Sequence, residues 1–194
     1  MFGMFANAES FNQPLNSWDV SNVTNMSVMF GRTTAFDQPL DNWDTSNVTN
    51  MALMFGDAES FNQPLNNFNT SNVTNMLSMF GGATSFNQPI SNWDTSNVTS
   101  MELMFKNAIT FNQSLNNFSF DSLNVGNILN EFMIGKTDLD YDAVYYDEIL
   151  INLDNSTSNV GGLGMGTIKY TVAGSAARAS LVTKGWVITD GGQV

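Results

Sequence analysis

The segment FNQPLNSWDVSNVTNMSVMFGRTTAF, residues 11–36, decides the fold, because its pattern returns every 25 residues. Each 25-residue copy is called a unit below, and the units are counted from the one that contains Phe5 and Trp18, so that Phe105 and Phe118 lie in the fifth. A phase is one position of the 25-residue period. One phase carries phenylalanine, at Phe11, Phe36, Phe61, Phe86 and Phe111, and another carries an aromatic residue, at Trp18, Trp43, Phe68, Trp93 and Phe118. A fixed period of about 20–50 residues is typical of a solenoid, in which each unit buries its apolar face against its neighbours. The sequence therefore predicts a parallel solenoid of about five coils over residues 1–134.

The pattern within one unit predicts a short strand followed by a short helix. Over residues 15–20 the alternation of side chains places Trp18 and Val20 inward and Ser17 and Asp19 outward. Over residues 23–30 the apolar residues recur at helical spacing, and Gly31 follows as a helix end. The predicted fold class is therefore α/β, with leucine-rich-repeat-like coils.

The pattern decays in the fifth unit, where Gly126 and Leu129 stand in the phases of Met26 and Met29. Residues 135–194 are predicted to be an α/β C-terminal cap stacked on the repeats. Its expected order is a helix over residues 138–153, a loop over 155–166, a strand over 167–170, a helix over 174–183 and a strand over 186–190.

The first unit carries apolar side chains that no earlier unit covers. We expect these side chains to be exposed: Phe2, Met4, Phe5 and Phe11. The sequence thus predicts either a preceding segment, not part of these 194 residues, or head-to-tail self-association through the N-terminal unit.

Composition narrows the possible functions. The net charge is −12, and residues 1–134 hold eleven acidic and two basic residues, which argues against binding nucleic acid or an anionic membrane. No Cys and no His are present, so zinc sites, thiol nucleophiles and catalytic triads lose their usual residues. We expect no cofactor, and hard, oxygen-liganded ions such as calcium are the ions whose ligands the sequence supplies. No apolar run reaches the ~20 residues that span a bilayer.

The outward strand phases supply the candidate ligand face. Neighbouring carboxylates such as Asp19 and Asp44 repel each other, so they are either kept to bind a cation or a polyhydroxyl ligand, or they are solvated and accept from the following serine N–H in an Asx turn. We favour the second interpretation because Asn69 interrupts the series. The candidate face, called the outer polar face below, comprises Ser17, Asp19, Asn42, Asp44, Asn67, Asn69, Asn92 and Asp94.

A second polar phase carries the asparagine of each Asn-Val-Thr segment, at Asn22, Asn47, Asn72 and Asn97. We expect a buried asparagine column that bonds the backbone of adjacent units. The alternative is N-glycosylation, because each segment is also an acceptor sequon. The Trp and Phe phase is expected to be core rather than a platform for sugar stacking, because it lies at an inward position.

The recurring FNQPL, W-D, SNVTNM and MF segments of residues 1–134 resemble the BspA-like surface leucine-rich repeat in its 25-residue form. The end of the chain, TVAGSAARASLVTKGWVITDGG, resembles a cap that closes such arrays. The resemblance implies a secreted or cell-surface protein without catalytic residues that serves adhesion or recognition of a protein or glycan.

Two other hypotheses remain beside the binding module. A structural role as a spacer or self-assembling subunit of a filament, sheath or virus particle follows from the uncovered N-terminal unit. A hydrolase using paired carboxylates such as Asp19 and Asp44 ranks last, because regularly spaced, exposed carboxylates lack separated pKa values. We therefore expect no enzyme.

Overall fold

A computed structural model describes residues 1–124, 126–157 and 161–194, with residues 126–128 described by their backbone. Its regular elements are β1 (Gly126–Leu129), α1 (Ala143–Asn155), β2 (Gly161–Gly164), α2 (Val172–Thr183) and β3 (Val187–Thr189). The three strands form a parallel sheet in the order β1-β2-β3. Every regular element therefore lies after the first four units.

Successive units lie side by side and are joined by backbone hydrogen bonds. The N–H of Met26 donates to the carbonyl oxygen of Asn50 over 2.9 Å, and the N–H of Phe30 donates to that of Met54 over 2.9 Å. Parallel bridges link the equivalent residues Asn25, Asn50, Asn75 and Ser100. Residues one period apart are thus neighbours in space.

The local structure of the units differs from the expected strand and helix. The residues expected to be helical form consecutive tight turns, in which the N–H of Met29 donates to the carbonyl of Met26 over 3.1 Å. Val28 and Arg32 have φ of 58° and 59°, in the left-handed region. Such residues end an α-helix, and the turns still direct Met26, Met29 and Phe30 into the core. The helical spacing of the apolar residues therefore predicted which side chains face the core, but it did not predict the backbone conformation.

The core of the repeats consists of two columns of stacked phenylalanines. One column has ring centroids 5.6–5.8 Å apart from unit to unit, along Phe5, Phe30, Phe55, Phe80 and Phe105. The second is spaced by 5.9–6.1 Å, along Phe11, Phe36, Phe61, Phe86 and Phe111. Phe132 and Tyr141 meet the last rings of these columns. Apolar burial of this kind stabilises the stack by about 25 cal/mol per Å².

The tryptophans show how each unit covers the next. Trp43 and Trp93 are each 2% exposed, and their indole Nε1 atoms donate to the carbonyls of Leu15 and Leu65, in preceding units, over 3.0 and 3.2 Å. Trp18 is 38% exposed, because its unit is the first. The inward orientation predicted for this phase is thus found wherever an earlier unit is present.

The same absence of an earlier unit exposes other apolar side chains of the first unit. Phe2 is 69% exposed and Met4 50% exposed, as expected. Phe5 and Phe11 are instead half-buried, because their rings stack on each other with centroids 4.2 Å apart.

The junction after the fifth unit shifts the register by three residues. The N–H of Phe105 donates to the carbonyl of Phe132. Phe132, rather than the expected Leu129, therefore occupies the position equivalent to Met29. Leu129 accepts from the N–H of Phe132 and thereby occupies the turn position of Met101. Because three residues are inserted here, the 25-residue period no longer identifies equivalent positions.

The C-terminal segment continues the stack and contains both helices. Helix α1 begins after Asp142, whose side chain accepts from the N–H of Val144, five residues later than expected. Part of the expected loop over residues 155–166 is strand β2, and its residues 158–160 lie outside the described part. The strand expected over 167–170 is reduced to single bridges at Thr167 and Tyr170. Helix α2 and strand β3 overlap the expected helix and final strand.

Candidate functional site

The outer polar face runs across the repeats, and its eight side chains are exposed to solvent. It is built from positions on either side of the inward tryptophan or phenylalanine of each unit. Because this apolar residue is buried from the second unit onward, its polar neighbours are held outward and repeat once per unit.

An Asx turn holds the side chain that follows the inward aromatic residue of each unit, at Asp19, Asp44, Asn69 and Asp94. The Asp19 carboxylate accepts from the N–H of Ser21 over 3.0 Å and from its hydroxyl over 2.7 Å. Asp94 accepts in the same way from Ser96. Asn69 replaces the carboxylate with its amide oxygen and still accepts from the N–H of Ser71. The structural interpretation of this phase is thus supported, because the turn needs an oxygen and not a charge.

The hydrogen bonds also fix the charge of the face. The serine hydroxyl and then the serine N–H lower the pKa of Asp19, Asp44 and Asp94 below the usual value. At Asp44 the neighbouring Asp19 charge opposes this effect. The carboxylates are therefore ionised at neutral pH, and the face is negatively charged.

The remaining asparagines of the face connect neighbouring units. The Asn67 amide nitrogen donates to the carbonyl of Asp41 over 3.0 Å, and that of Asn92 donates to the carbonyl of Asn66 over 2.8 Å. The N–H of Asn42 donates to the side-chain oxygen of Asn16. The first two bonds hold the Asn67 and Asn92 side chains in one orientation and leave their amide oxygens directed away from that contact.

The Asn-Val-Thr asparagines form the expected ladder, but they are exposed rather than buried. The amide nitrogens of Asn47, Asn72 and Asn97 donate to the carbonyls of the serines one unit back over 2.8, 2.7 and 2.8 Å. Val48 and its equivalents point inward instead. At Asn47, Asn72 and Asn97 the amide nitrogen that glycosylation would modify is thus engaged with the preceding unit.

At its C-terminal end the outer polar face meets a shallow groove of about 260 Å³ between the fifth unit and α1. Asn116, Asn117 and Ser119 of the fifth unit line one side, and Asn152 and Asn155 of α1 line the other. Asn117 and Ser119 occupy the phases of Ser17 and Asp19. The groove, called the amide groove below, therefore continues the outer polar face.

Hydrogen bonds fix the two sides of the amide groove relative to each other. The Asn152 amide nitrogen donates to the carbonyl of Asn116 over 2.8 Å, and that of Asn117 donates to the carbonyl of Ser91 over 3.2 Å. The N–H of Thr157 donates to the carboxylate of Asp121, at the groove's edge, over 2.6 Å. The two sides of the groove are thus held in position without a ligand.

Sequence reasoning missed this groove. Asn152 and Asn155 are three residues apart and so share one face of a helix, which is a visible signal. Their position over the fifth unit depends on the three-residue insertion, which the 25-residue period did not predict. Reasoning also missed a ladder in which Asn12, Asp37, Asn62 and Asn87 each accept from the next unit.

Neither a metal site nor a membrane helix is found in the described ranges. No group of three or more acidic side chains is placed to hold a metal ion in residues 1–124, 126–157 and 161–194. Within the same ranges, neither helix is long and apolar enough to cross a bilayer.

Comparison with known proteins identifies the family of this chain. A search of curated proteins and a search of solved structures each gave no significant match. A family model described as "Mycoplasma protein of unknown function, DUF285" matches residues 1–71 and again residues 38–138, which together cover more than half of the chain. The chain therefore belongs to the DUF285 family.

Proposed function

We propose that this protein is a non-enzymatic, surface-exposed binding module that recognises a protein or a glycan through its outer polar face. One observation carries the proposal: the side chains of Asp19, Asn67, Asn92 and Asp94 are held in fixed orientations along this face by hydrogen bonds within and between units. A ligand then need not order these side chains, which lowers the entropy cost of binding.

We also propose that the units form a leucine-rich-repeat-like solenoid of the BspA-like surface type, displayed outside the cell. The 25-residue period, the absence of cysteine and the FNQPL and SNVTNM segments support this assignment. A division into a repeat array over residues 1–134 and a cap over 135–194 belongs to the same proposal. Extracellular location is tested by protease treatment of intact source cells, which removes a displayed protein and spares an internal one.

The proposed binding needs no cofactor. Calcium remains a prediction for the adjacent carboxylates of Asp19 and Asp44, whose charges a cation would neutralise. Titration calorimetry with calcium tests it, and heat that disappears in a D44N variant is the expected sign of such a site.

A binding screen on arrays of glycans and of cell-surface proteins tests the main proposal. The double variant S17R/N42R adds bulk to the outer polar face at exposed positions, and we expect it to lose any ligand that the wild type binds. The control variant S10R/S60R adds the same bulk at exposed turn residues outside the face and should retain binding. A wild type that binds nothing on either array, or binding that survives S17R/N42R, contradicts the proposal.

A structural role as a self-assembling subunit or spacer is the second candidate. The exposed Phe2, Met4 and Trp18 support it, because together they present apolar surface at one end of the stack. Head-to-tail contact would place this end on the exposed edge near β3, where Val187 is exposed. Sedimentation velocity tests the idea: oligomers that dissociate in an F2S/M4S variant support it, and a monomer at every concentration excludes it.

A further inference from the structure

We propose that the amide groove is a binding subsite for a neutral sugar at the end of a glycan chain. This inference rests on the proposed binding function and adds the place and the chemical class of the ligand. The groove combines asparagine amides from the fifth unit and from α1, namely Asn116, Asn117, Asn152 and Asn155.

The lining of the groove matches the hydrogen-bonding groups of a sugar. An amide side chain offers both donors and acceptors, and a sugar hydroxyl both donates and accepts. The Asn152 and Asn117 nitrogens each place one N–H on a backbone carbonyl. Each of these amides keeps a second N–H and its oxygen, in an orientation that the first bond fixes.

Charge excludes the anionic sugars. Among the residues that the structure describes, no Lys or Arg lines the groove, and Asp121 is the one charged residue there. The N–H and hydroxyl of Thr157 both donate to one oxygen of this carboxylate, and the first of these bonds is the largest of the causes that lower its pKa. A uronic acid or a sulfated sugar would bring a second negative charge beside Asp121 without a cation to offset it.

Size and position favour a glycan end over a protein segment. The groove volume of about 260 Å³ lies just below the range of about 300–1,000 Å³ found for drug-sized ligands. The groove therefore suits a single sugar ring rather than a longer peptide segment. The buried rings of Phe118 and Phe120 form part of its floor. Because the outer polar face leads directly into the groove, a linear chain can lie along the face while its last sugar enters the groove.

Side-chain amide signals in NMR spectra test the proposal directly. The probes are tetrasaccharides of glucose, mannose, galactose and N-acetylglucosamine, with a galacturonate tetrasaccharide as the anionic probe. We expect at least one neutral tetrasaccharide to shift the side-chain amide signals of Asn152 and Asn155, and the galacturonate probe to leave them unchanged.

An N155L variant keeps the length of the side chain and removes its amide, and we expect it to weaken binding about tenfold, as the loss of one hydrogen bond does. The matched control N22L changes an exposed asparagine of the first unit and should bind as the wild type does. The inference is overturned if no neutral probe shifts these signals, if galacturonate binds more tightly, or if N155L binds normally.

The two proposals fail in different ways. If an array ligand binds and S17R/N42R abolishes it while N155L has no effect, the outer polar face stands as a binding surface and the subsite is wrong. If no array ligand binds and no tetrasaccharide shifts any signal, both proposals are wrong.

Discussion

At the scale of single residues, Lys136 is the least expected feature of the structure. It is 1% exposed and occupies the turn position that Ala108 holds in the fifth unit. Its ammonium donates to the carbonyls of Ala108 and Ile109 over 2.8 and 3.0 Å and lies 5.9 Å from the ring centroid of Tyr141. Burial lowers the pKa of Lys136 to about 8, although the nearby Asp140 charge opposes this.

This lysine predicts a pH dependence of stability. Between pH 8 and its usual pKa of 10.5, the unfolded chain binds more protons at Lys136 than the folded chain, so the free energy of unfolding should rise with pH. Burial raises the pKa of Tyr141 and Tyr146, which lowers stability only above about pH 10. Urea denaturation from pH 7 to 9.5 should therefore show a rise for the wild type relative to K136M.

The control for this measurement is K184M, which removes an exposed lysine at the end of α2. It should keep the wild-type slope of stability against pH. Equal slopes for the wild type and K136M would show that Lys136 does not remain buried and charged as described.

Ser78 offers a second test at the residue scale, because its φ of 51° is left-handed. This conformation costs an L-residue about 1–2 kcal/mol, whereas glycine loses about 0.5–1 kcal/mol of backbone entropy. S78G should therefore raise the free energy of unfolding by about 0.5–1 kcal/mol in urea denaturation. S85G, at a position without positive φ, should instead lower it, and a loss of stability in S78G would contradict the turn geometry.

At the scale of the structural element, the paired phenylalanine columns hold one unit on the next. Phe80 touches four other rings, with centroid distances of 5.7 Å to Phe55, 4.0 Å to Phe86, 6.1 Å to Trp93 and 5.8 Å to Phe105. Offset and stacked aromatic pairs add to the stabilisation that simple apolar burial provides. The centre of the column should therefore be more sensitive to change than its end.

Replacing a ring by an aliphatic side chain measures this contribution. F80L keeps an apolar side chain and removes the four ring contacts, and we expect it to lower the free energy of unfolding by about 1–3 kcal/mol. F5L changes a half-buried ring in the first unit and should cost less. Equal losses for F80L and F5L, measured by urea denaturation, would contradict the stacked arrangement.

The 25-residue period predicts which side chains of each unit face the core. The backbone conformation within a unit depends on local geometry that the period does not predict. Trp43 and Thr45 are inward and Asp44 is outward, as the alternation of side chains predicts, and Val48 is inward, as the spacing of the apolar residues predicts. The turns of residues 26–33 were not predicted, because a left-handed Val28 or Leu53 leaves no mark in the sequence. The amide groove was missed because the position of Asn155 depends on an insertion.

At the scale of the whole molecule, a partly buried ion pair ties the C-terminal segment together. The Asp190 side chain is 2% exposed and accepts from Arg178 over 2.7 and 3.1 Å. The Tyr146 hydroxyl of α1 donates to the same carboxylate over 2.7 Å. Burial raises the pKa of Asp190, but the Arg178 and Tyr146 hydrogen bonds outweigh this effect and lower it. Helices α1 and α2 are thus both fixed to the residue that follows β3.

Breaking this pair should be costly, because it leaves a partly buried charge without its partner. We expect R178M to lower the free energy of unfolding by about 3–5 kcal/mol, and the double variant R178M/D190N to recover part of that loss. Thermal and urea unfolding of both variants measure the difference. A double variant less stable than R178M would show that Asp190 stabilises the fold through Tyr146 rather than through Arg178.

Equivalent aromatic residues of successive units stack into one core and leave a polar exterior. Acrylamide quenching of tryptophan fluorescence tests it most directly, in four variants that each retain one tryptophan and carry phenylalanine at the other three positions. We expect efficient quenching for Trp18 alone and protection for Trp43, Trp93 and Trp186, which are 2%, 2% and 5% exposed. Quenching of Trp43 or Trp93 as efficient as that of Trp18 would contradict it.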